Sequence, residues 1–222
     1  MNEMNTARAP QALPKPTLID LLLEKKQLVI ALILIIAVTA GGVFFWMQKT
    51  KADEEKASLA LSKVVPWIET GDSARATKEL KVIINSYGGT PSGNVAKLYL
   101  GTIYYTMNRP GEALAMYNAF SSGNKDLQAS ALAGAASCNV QKKAYAAAAE
   151  GFEKASATAE NEALKAMYLN KAAESDIAAG KPDKAVKLFD QIIKNWPGTS
   201  SAAVAQRSLW RLAGQGVQVV TP

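Results

Sequence analysis

Histidine and cysteine, two residue types that often carry out enzymatic chemistry, are absent or nearly absent from this sequence. The chain has 222 residues, no histidine and a single cysteine, Cys138. Without histidine there is no Ser-His-Asp or Cys-His arrangement, and the commonest general base and metal ligand are both missing. A lone thiol forms neither an intrachain disulfide nor a thiolate zinc site, so we interpret Cys138 as a small core residue. We therefore predict that the protein is not an enzyme, has no catalytic or metal site, and uses no cofactor.

Two short motifs could still suggest chemistry, and both have a simpler interpretation. The glycine-rich run 88–93 lacks the Gly-Lys-Ser/Thr ending and the preceding strand of a phosphate loop, so we interpret it as a turn. In the acidic run 53–55, adjacent carboxylates on a helix would point in different directions, which disfavours metal binding. Basic residues do not cluster around Tyr104 and Tyr105, as a surface for stacked bases would require. Neither nucleic acid nor a small-molecule substrate is expected as a partner.

Residues 28–47 form an uncharged apolar segment, LVIALILIIAVTAGGVFFWM. At about 1.5 Å per residue, a helix of this length is about 30 Å long, which matches the hydrocarbon core of a bilayer. Lysines flank the segment on both sides, and Trp46 lies near its end, where aromatic rings favour the membrane interface. We predict a transmembrane anchor over residues 25–49. The alternative is a signal peptide cleaved after Ala40, which the apolar residues beyond that position disfavour.

The lysine and arginine residues on the two sides of this anchor are nearly balanced in number, so they do not decide its orientation. When a short N-terminal tail precedes a long domain, the tail usually stays in the cytoplasm and the domain is translocated. Long domains cross the membrane largely regardless of their charge. We predict that residues 1–24 are a flexible cytoplasmic tail. The charged linker 50–56 and the domain that follows it are then predicted to lie outside the cytoplasmic membrane.

A pattern with a period of 35 to 37 residues follows the linker. Each of its four copies has a turn signal, a small residue, a large apolar residue four positions later, and an apolar or small residue three positions after that. The three sets are Ala76, Ala113, Ala148 and Ala185; Leu80, Tyr117, Phe152 and Phe189; and Ile83, Phe120, Ala155 and Ile192. Offsets of three and four put these positions on one face of a helix.

An apolar helix before each turn completes a helical hairpin. One hairpin cannot bury its apolar face alone, so successive hairpins are predicted to stack into a solenoid. The predicted fold is therefore all-α, with a repeat domain over residues 57–213 whose last helix caps the stack. Residues 214–222 are predicted to be a flexible tail, with addition of Val217 to Val220 to a partner's sheet as the alternative.

This pattern resembles the tetratricopeptide repeat. The residues that match the repeat best are Leu100, Gly101, Tyr104, Phe189 and Pro197. The sequence departs from the repeat at Ala136, where glycine is common, and at Asp176, where an aromatic residue is usual. The resemblance implies helical hairpins stacked behind the anchor.

The plan of the whole chain resembles that of the ancillary subunit of the bacterial Sec translocon, which has a short tail, one N-terminal anchor and an exported tetratricopeptide-like domain. This resemblance implies a single-pass protein of the bacterial inner membrane with a cytoplasmic N-terminus and a periplasmic repeat domain. It also implies a role in protein export, with translocon subunits, exported chains or periplasmic chaperones as protein partners. Related repeat proteins act in outer-membrane assembly and cell division. The alternative is therefore a structural scaffold or assembly factor of another membrane complex.

The tetratricopeptide resemblance further implies a partner-binding groove, because one face of the first helices lines the concave side of that fold. The corresponding residues are Leu98, Thr102, Tyr105, Ala133, Ser137, Met167, Asn170 and Glu174. Most are apolar or small, which suits an extended or amphipathic apolar segment better than an acidic tail. Only Asn170 resembles the residues with which co-chaperone domains hold a C-terminal carboxylate. The alternative is that neighbouring helices or the capping helix cover this face.

Overall fold

The computed structural model describes residues 26–219, and helices are the regular secondary structure throughout this part of the chain. The helices are α1 (Lys26–Glu69), α2 (Ser73–Tyr87), α3 (Pro91–Thr106), α4 (Pro110–Ala119), α5 (Lys125–Gln141), α6 (Tyr145–Thr158), α7 (Glu162–Ala178), α8 (Pro182–Asn195) and α9 (Ser200–Gly214). The predicted all-α class is confirmed. The predicted N-terminal tail lies outside the described residues, as do the last three residues of the predicted C-terminal tail.

The contacts divide the chain into two units, Met1–Thr50 and Lys51–Pro222. In the first unit, all described side chains between residues 30 and 49 are exposed, including Val38 and Phe45 at 74% and 73%. A window of this helix has a mean hydropathy of 2.5. The hydroxyl of Thr39 donates to the carbonyl of Ile35 at 2.9 Å, so it needs no water. This helix is long and apolar enough to cross a membrane, and its exposure distinguishes it from a buried core helix.

The second unit is a stack of helical hairpins, as predicted. From α2 to α9 each helix contacts the next one along the chain, and α3 contacts α5, α5 contacts α7, and α7 contacts α9. The residues of α1 from Lys51 onward complete the first hairpin, since Leu61 and Val64 share an apolar cluster with Leu80 of α2. Two more clusters continue the core through α5–α8 and to α9. The first helices are therefore α1, α3, α5 and α7, the second helices are α2, α4, α6 and α8, and α9 follows as the cap.

The twelve positions of the repeat pattern form the spine of this core. Each is at most 6% exposed, and Ala76, Ala113, Ala148 and Ala185 are fully buried. Burying a side chain such as Phe189 contributes about 1.5–3 kcal/mol, whereas the alanines contribute mainly by letting neighbouring helices approach closely. The inferred periodicity is thus the periodicity of the buried surface.

All four hairpins turn in the same way. The turn residues Gly71, Asn108, Lys143 and Gly180 have positive φ values of 77°, 56°, 58° and 74°. The next amides, of Asp72, Arg109, Ala144 and Lys181, donate to the carbonyls of Trp67, Tyr104, Asn139 and Asp176 at 2.8–2.9 Å. This bond closes a helix C-terminus whose carbonyls would otherwise lack partners. The left-handed conformation favours glycine, so asparagine and lysine occupy it at a cost.

Polar side chains begin the helices that follow the hairpins. Thr90, Asn124, Asn161 and Thr199 accept a hydrogen bond from an amide in the first turn of α3, α5, α7 and α9, respectively. Glu54 also stabilises the start of α3. Its carboxylate accepts hydrogen bonds from the amide and the hydroxyl of Ser92 at 3.0 and 2.6 Å. This carboxylate lies in segment 50–56, which the sequence suggested as a linker and which is helical within α1.

Candidate functional site

The eight residues predicted to line a groove lie on three neighbouring first helices. Leu98, Thr102 and Tyr105 belong to α3, Ala133 and Ser137 to α5, and Met167, Asn170 and Glu174 to α7. We call these residues the first-helix surface. Thr102, Met167 and Glu174 are exposed, Leu98, Tyr105 and Ser137 are partly buried, and Ala133 and Asn170 are 7% exposed. Most of the set is thus accessible, and its role in binding stays a prediction.

A cavity of about 170 Å³ brings part of this surface together with residues that the sequence analysis did not include. Its lining residues are Tyr105, Ser137, Val140, Tyr145, Phe152, Lys171, Glu174, Ser175 and Ala178. We call it the α3–α7 cavity. Tyr145 and Phe152 come from the second helix α6, whereas the resemblance pointed only to first helices. An aromatic residue directly after the hairpin turn, such as Tyr145, is the signal that could have suggested this lining.

Internal hydrogen bonds satisfy several polar groups near this cavity. Ser137 Oγ donates to the carbonyl of Ala133 at 2.9 Å, and Gln141 Nε2 donates to the carbonyl of Tyr105 at 3.2 Å. The ammonium of Lys171 lies 5.9 Å from the centroid of the Phe152 ring. The accessible lining consequently offers aromatic and aliphatic surface, with Lys171 and Glu174 as its charged groups.

Tyr117 inserts from the second helix α4 between two first helices. A Cβ atom at Gly134 would lie 2.4 Å from Tyr117 Cζ, and one at Gly101 would lie 3.0 Å from the ring. The Tyr117 hydroxyl and Thr102 Oγ1 are 3.2 Å apart, and burial raises the pKa of this tyrosine. The glycines therefore make room for a ring whose polar end reaches the first-helix surface.

Asn170 contacts the capping helix. Its Nδ2 donates to the carbonyl of Ser201 at 3.0 Å, while its Oδ1 is buried and has no hydrogen-bond partner in the described part of the chain. The side chain is thus held at the start of α9. Asn170 is therefore not available to contact a bound segment.

Two further groups with potential chemistry are buried. Asp176, at the position where the repeat usually has an aromatic residue, is 1% exposed, and both of its oxygens lack hydrogen-bond partners among the described residues. Lys184 Nζ lies 3.6 Å from its Oδ2 and 3.0 Å from Glu153 Oε1, and burial raises the pKa of Asp176. The Cys138 thiol is also buried, which raises its pKa and disfavours the reactive thiolate.

No cofactor or metal position emerges from residues 26–219, where cysteine, aspartate and glutamate side chains do not gather in groups of three. Asp176 has cationic neighbours, so its environment is that of a structural ion cluster. The arrangement as a whole provides surfaces for contact between proteins.

The comparisons with known proteins agree with this arrangement. A model of the tetratricopeptide repeat-like domain matches residues 23–135, and a model of the tetratricopeptide repeat matches residues 169–199. No curated protein matches the chain.

Two crystal structures have a similar fold. The structure of MamA has a TM-score of 0.52 and 21% identity, over 68% of this chain and 83% of that one. A variant of a putative kinesin light chain of Podospora anserina, with nearly identical tetratricopeptide-like repeats, has a TM-score of 0.60 and 14% identity, over 73% and 88%. This fold is typically a non-catalytic scaffold for protein interaction. Because the first model covers more than half of the residues, the chain belongs to the tetratricopeptide repeat-like domain family.

Proposed function

We propose that the protein is a membrane-anchored module that binds an apolar segment of another protein at its first-helix surface. The observation that carries this proposal is the α3–α7 cavity, where Tyr105, Val140 and Phe152 provide apolar lining beside a small number of charges. Leu98 and Met167 extend the apolar surface along the first helices. Flexible thioether and aromatic side chains at one surface are common where a protein accepts varied apolar segments.

The size of the cavity favours a side chain over a cofactor. Pockets for small molecules measure about 300–1,000 Å³, and this cavity measures about 170 Å³. Such a volume accommodates one large apolar side chain, while the chain that carries it continues over the neighbouring helices. The bound segment is therefore proposed to be extended or amphipathic, with an apolar side chain inserted beside Tyr105.

We propose that residues 28–47 span the bacterial inner membrane, with the N-terminus in the cytoplasm and the repeat domain in the periplasm. The exposed apolar part of α1 and the resemblance to the ancillary translocon subunit support this topology. The proposed role is that of an accessory of protein export, with translocon subunits, exported chains or periplasmic chaperones as partners.

Protease protection of a protein tagged at its C-terminus tests the topology. A tag that is shielded in intact cells and cleaved in spheroplasts, with an anchored fragment remaining, is the expected result. Cleavage only after lysis of the inner membrane would place the repeat domain in the cytoplasm and contradict the export role.

Site-specific photo-crosslinking tests the binding surface. A photoreactive residue at Tyr105 or Val140 should crosslink to exported chains, translocon subunits or chaperones, identified by mass spectrometry. The matched control is the same residue at Lys187 of α8, which is exposed and does not line the cavity. Equal products at both positions would contradict a role for the cavity, and a fixed set of unrelated membrane proteins would support the scaffold alternative.

A further inference from the structure

A second apolar groove lies at the opposite end of the repeat domain from the capping helix. It has a volume of about 400 Å³ between α1 and α2, and Val64 and Ile83 form its buried floor. Leu59 and Val82 line it and are 60% and 52% exposed. We call it the α1–α2 groove. It shares no lining residue with the α3–α7 cavity, so it is independent of the surface proposed above.

The repeat architecture indicates what shape this groove accepts. Within residues 51–219, the hairpins after the first pack helix against helix on both sides, since α4 contacts α5, α6 contacts α7, and α9 contacts α7 and α8. Among residues 51–219, the first hairpin packs on one side only, where α2 contacts α3. Each later second helix contacts the first helix of the next hairpin, so the α1 side of the groove faces the position that the second helix of a preceding repeat would occupy. An amphipathic helix fits such a two-helix groove by inserting its apolar ridge.

The charges around the groove indicate the chemistry of that helix. Lys56 and Lys63 lie two turns apart on α1, on either side of Leu59, and both line the groove. Arg75 stacks at 4.3 Å on the ring of Trp67, which also belongs to the lining. Glu79 is the one acidic residue that lines it. The lining itself thus carries two positive charges and one negative charge, and Glu55 lies beside Leu59 on the adjoining surface. The two lysines complement a helix that carries aspartate or glutamate beside its apolar face.

The openness of the groove distinguishes it from a site for a small ligand. Small-molecule sites enclose most of the ligand surface, whereas Leu59 and Val82 are more than half exposed. A flat lipid surface would not fill the concave floor at Val64 and Ile83. We propose that the α1–α2 groove is a second docking site, which binds an acidic amphipathic helix of a partner protein.

Photo-crosslinking of the full-length protein in its native membrane tests this proposal. A photoreactive residue at Leu59 or Val82 should crosslink to one partner polypeptide, and the same residue at Lys154 on α6, which is exposed and far along the chain, should not. The crosslinked peptide should have apolar residues at spacings of three and four and acidic residues beside them. A neutral or basic crosslinked segment would overturn the proposal.

Charge reversal then tests the recognition itself. The double substitution Lys56→Glu and Lys63→Glu should reduce the crosslink yield at Val82 at least fivefold, and changing the acidic residues of the partner helix to lysine should restore it. The control Lys154→Glu and Lys187→Glu, with the same change in net charge, should leave the yield within twofold of the original. Since all four lysines are exposed, the variants are expected to keep their helicity, which circular dichroism measures.

Other occupants give different products. A crosslinked dimer of this chain would identify a second copy, an internal crosslink to residues 1–25 would identify its own N-terminal segment, and a lipid adduct would identify the membrane. Each of these results, or the absence of any product at Leu59 and Val82, would overturn the proposal. None of them bears on crosslinks at Tyr105, so the two proposed surfaces succeed or fail separately.

Discussion

The two ends of the repeat domain are built from the same hairpin but are covered differently. At the C-terminal end, α9 contacts both helices of the last hairpin, and Phe189, Leu209 and Leu212 are at most 1% exposed. Val217 and Val219 pack against the same cluster, although the sequence suggested a flexible tail there. At the N-terminal end, Leu59 and Val82 keep more than half of their surface exposed.

This difference shows what a cap contributes to a solenoid. A terminal repeat needs an element with an apolar inner face and a polar outer face. Helix α9 supplies the apolar inner face with Leu209, and Arg207 and Arg211 lie outside beside Trp210, which is 62% exposed. On the other side of the stack the described residues 51–219 supply no such helix, which is why we infer that a partner helix binds there. The comparison predicts that substitutions at the two ends have unequal effects.

The largest expected effect comes from removing core volume at the capped end. Phe189→Ala should lower the free energy of unfolding by about 3–5 kcal/mol, because it leaves a cavity in a fully buried cluster. Leu59→Ala at the open end should change it by no more than about 0.5 kcal/mol in the absence of a partner. Urea denaturation of the full-length protein in detergent, followed by circular dichroism, measures both. Equal losses would mean that the open end is covered after all.

A smaller effect of opposite sign is expected from Asp176, the buried carboxylate of the last hairpin. Burial raises the pKa of Asp176 in the folded protein, because the ionised carboxylate is disfavoured there. The ionised carboxylate therefore lowers the free energy of unfolding. This loss is absent below the unfolded pKa and is complete once the pH has risen through the folded pKa. Asp176→Asn should therefore increase the free energy of unfolding by about 1–2 kcal/mol at pH 7.

Denaturation measured across pH checks this sign. The gain from Asp176→Asn should shrink as the pH falls and disappear below about pH 3, where aspartate is protonated in both states. Lys184→Met, which removes the cation 3.6 Å from Asp176, should instead destabilise the protein at pH 7. A variant Asp176→Asn that is less stable than the original at pH 7 would show that the Lys184 contact outweighs the cost of burial.

The smallest effects are expected at the turns, where the two ends should not differ. Gly71→Ala and Gly180→Ala should each cost about 1 kcal/mol, because both residues have positive φ and a Cβ atom at either would meet no neighbour within 4 Å. Lys143→Gly, at the equivalent turn of the third hairpin, should raise the free energy of unfolding by about 1 kcal/mol. Thermal denaturation of the three variants measures this. Unequal losses at Gly71 and Gly180 would place part of the difference between the ends in the turns.

Local pattern was sufficient to predict much of this fold. The hairpins, their period and their buried positions follow from spacings of three and four within single helices, so Ala148 and Phe152 could be assigned without knowing their neighbours. The turns were predictable for a similar reason, since glycine or asparagine occupies the left-handed position in three of the four hairpin turns. The exception is Lys143, which has a φ of 58° although lysine does not favour this conformation.

The surface for partners was less predictable because it depends on which helices meet. The tetratricopeptide resemblance implied a groove that includes Tyr105 and Glu174. Both line the α3–α7 cavity, and Tyr145 joins them from a second helix. No local pattern in the sequence marks Gly134, yet the ring of Tyr117 packs against it. Such contacts are set by the relative positions of two helices, which no local spacing encodes.

The amino-acid sequence by itself determined the elements of this protein: an apolar segment long enough to cross a bilayer and four copies of a helical hairpin. It did so because helix period, turn conformation and apolar length are properties of neighbouring residues. Only the tertiary structure decided which surfaces stay open. Asn170 is covered because Ser201, 31 positions later, lies against it, and Leu59 is open because no helix of residues 51–219 packs over it. Exposure depends on contacts between distant segments, and in this protein those contacts separate the capped end from the end proposed to bind a partner.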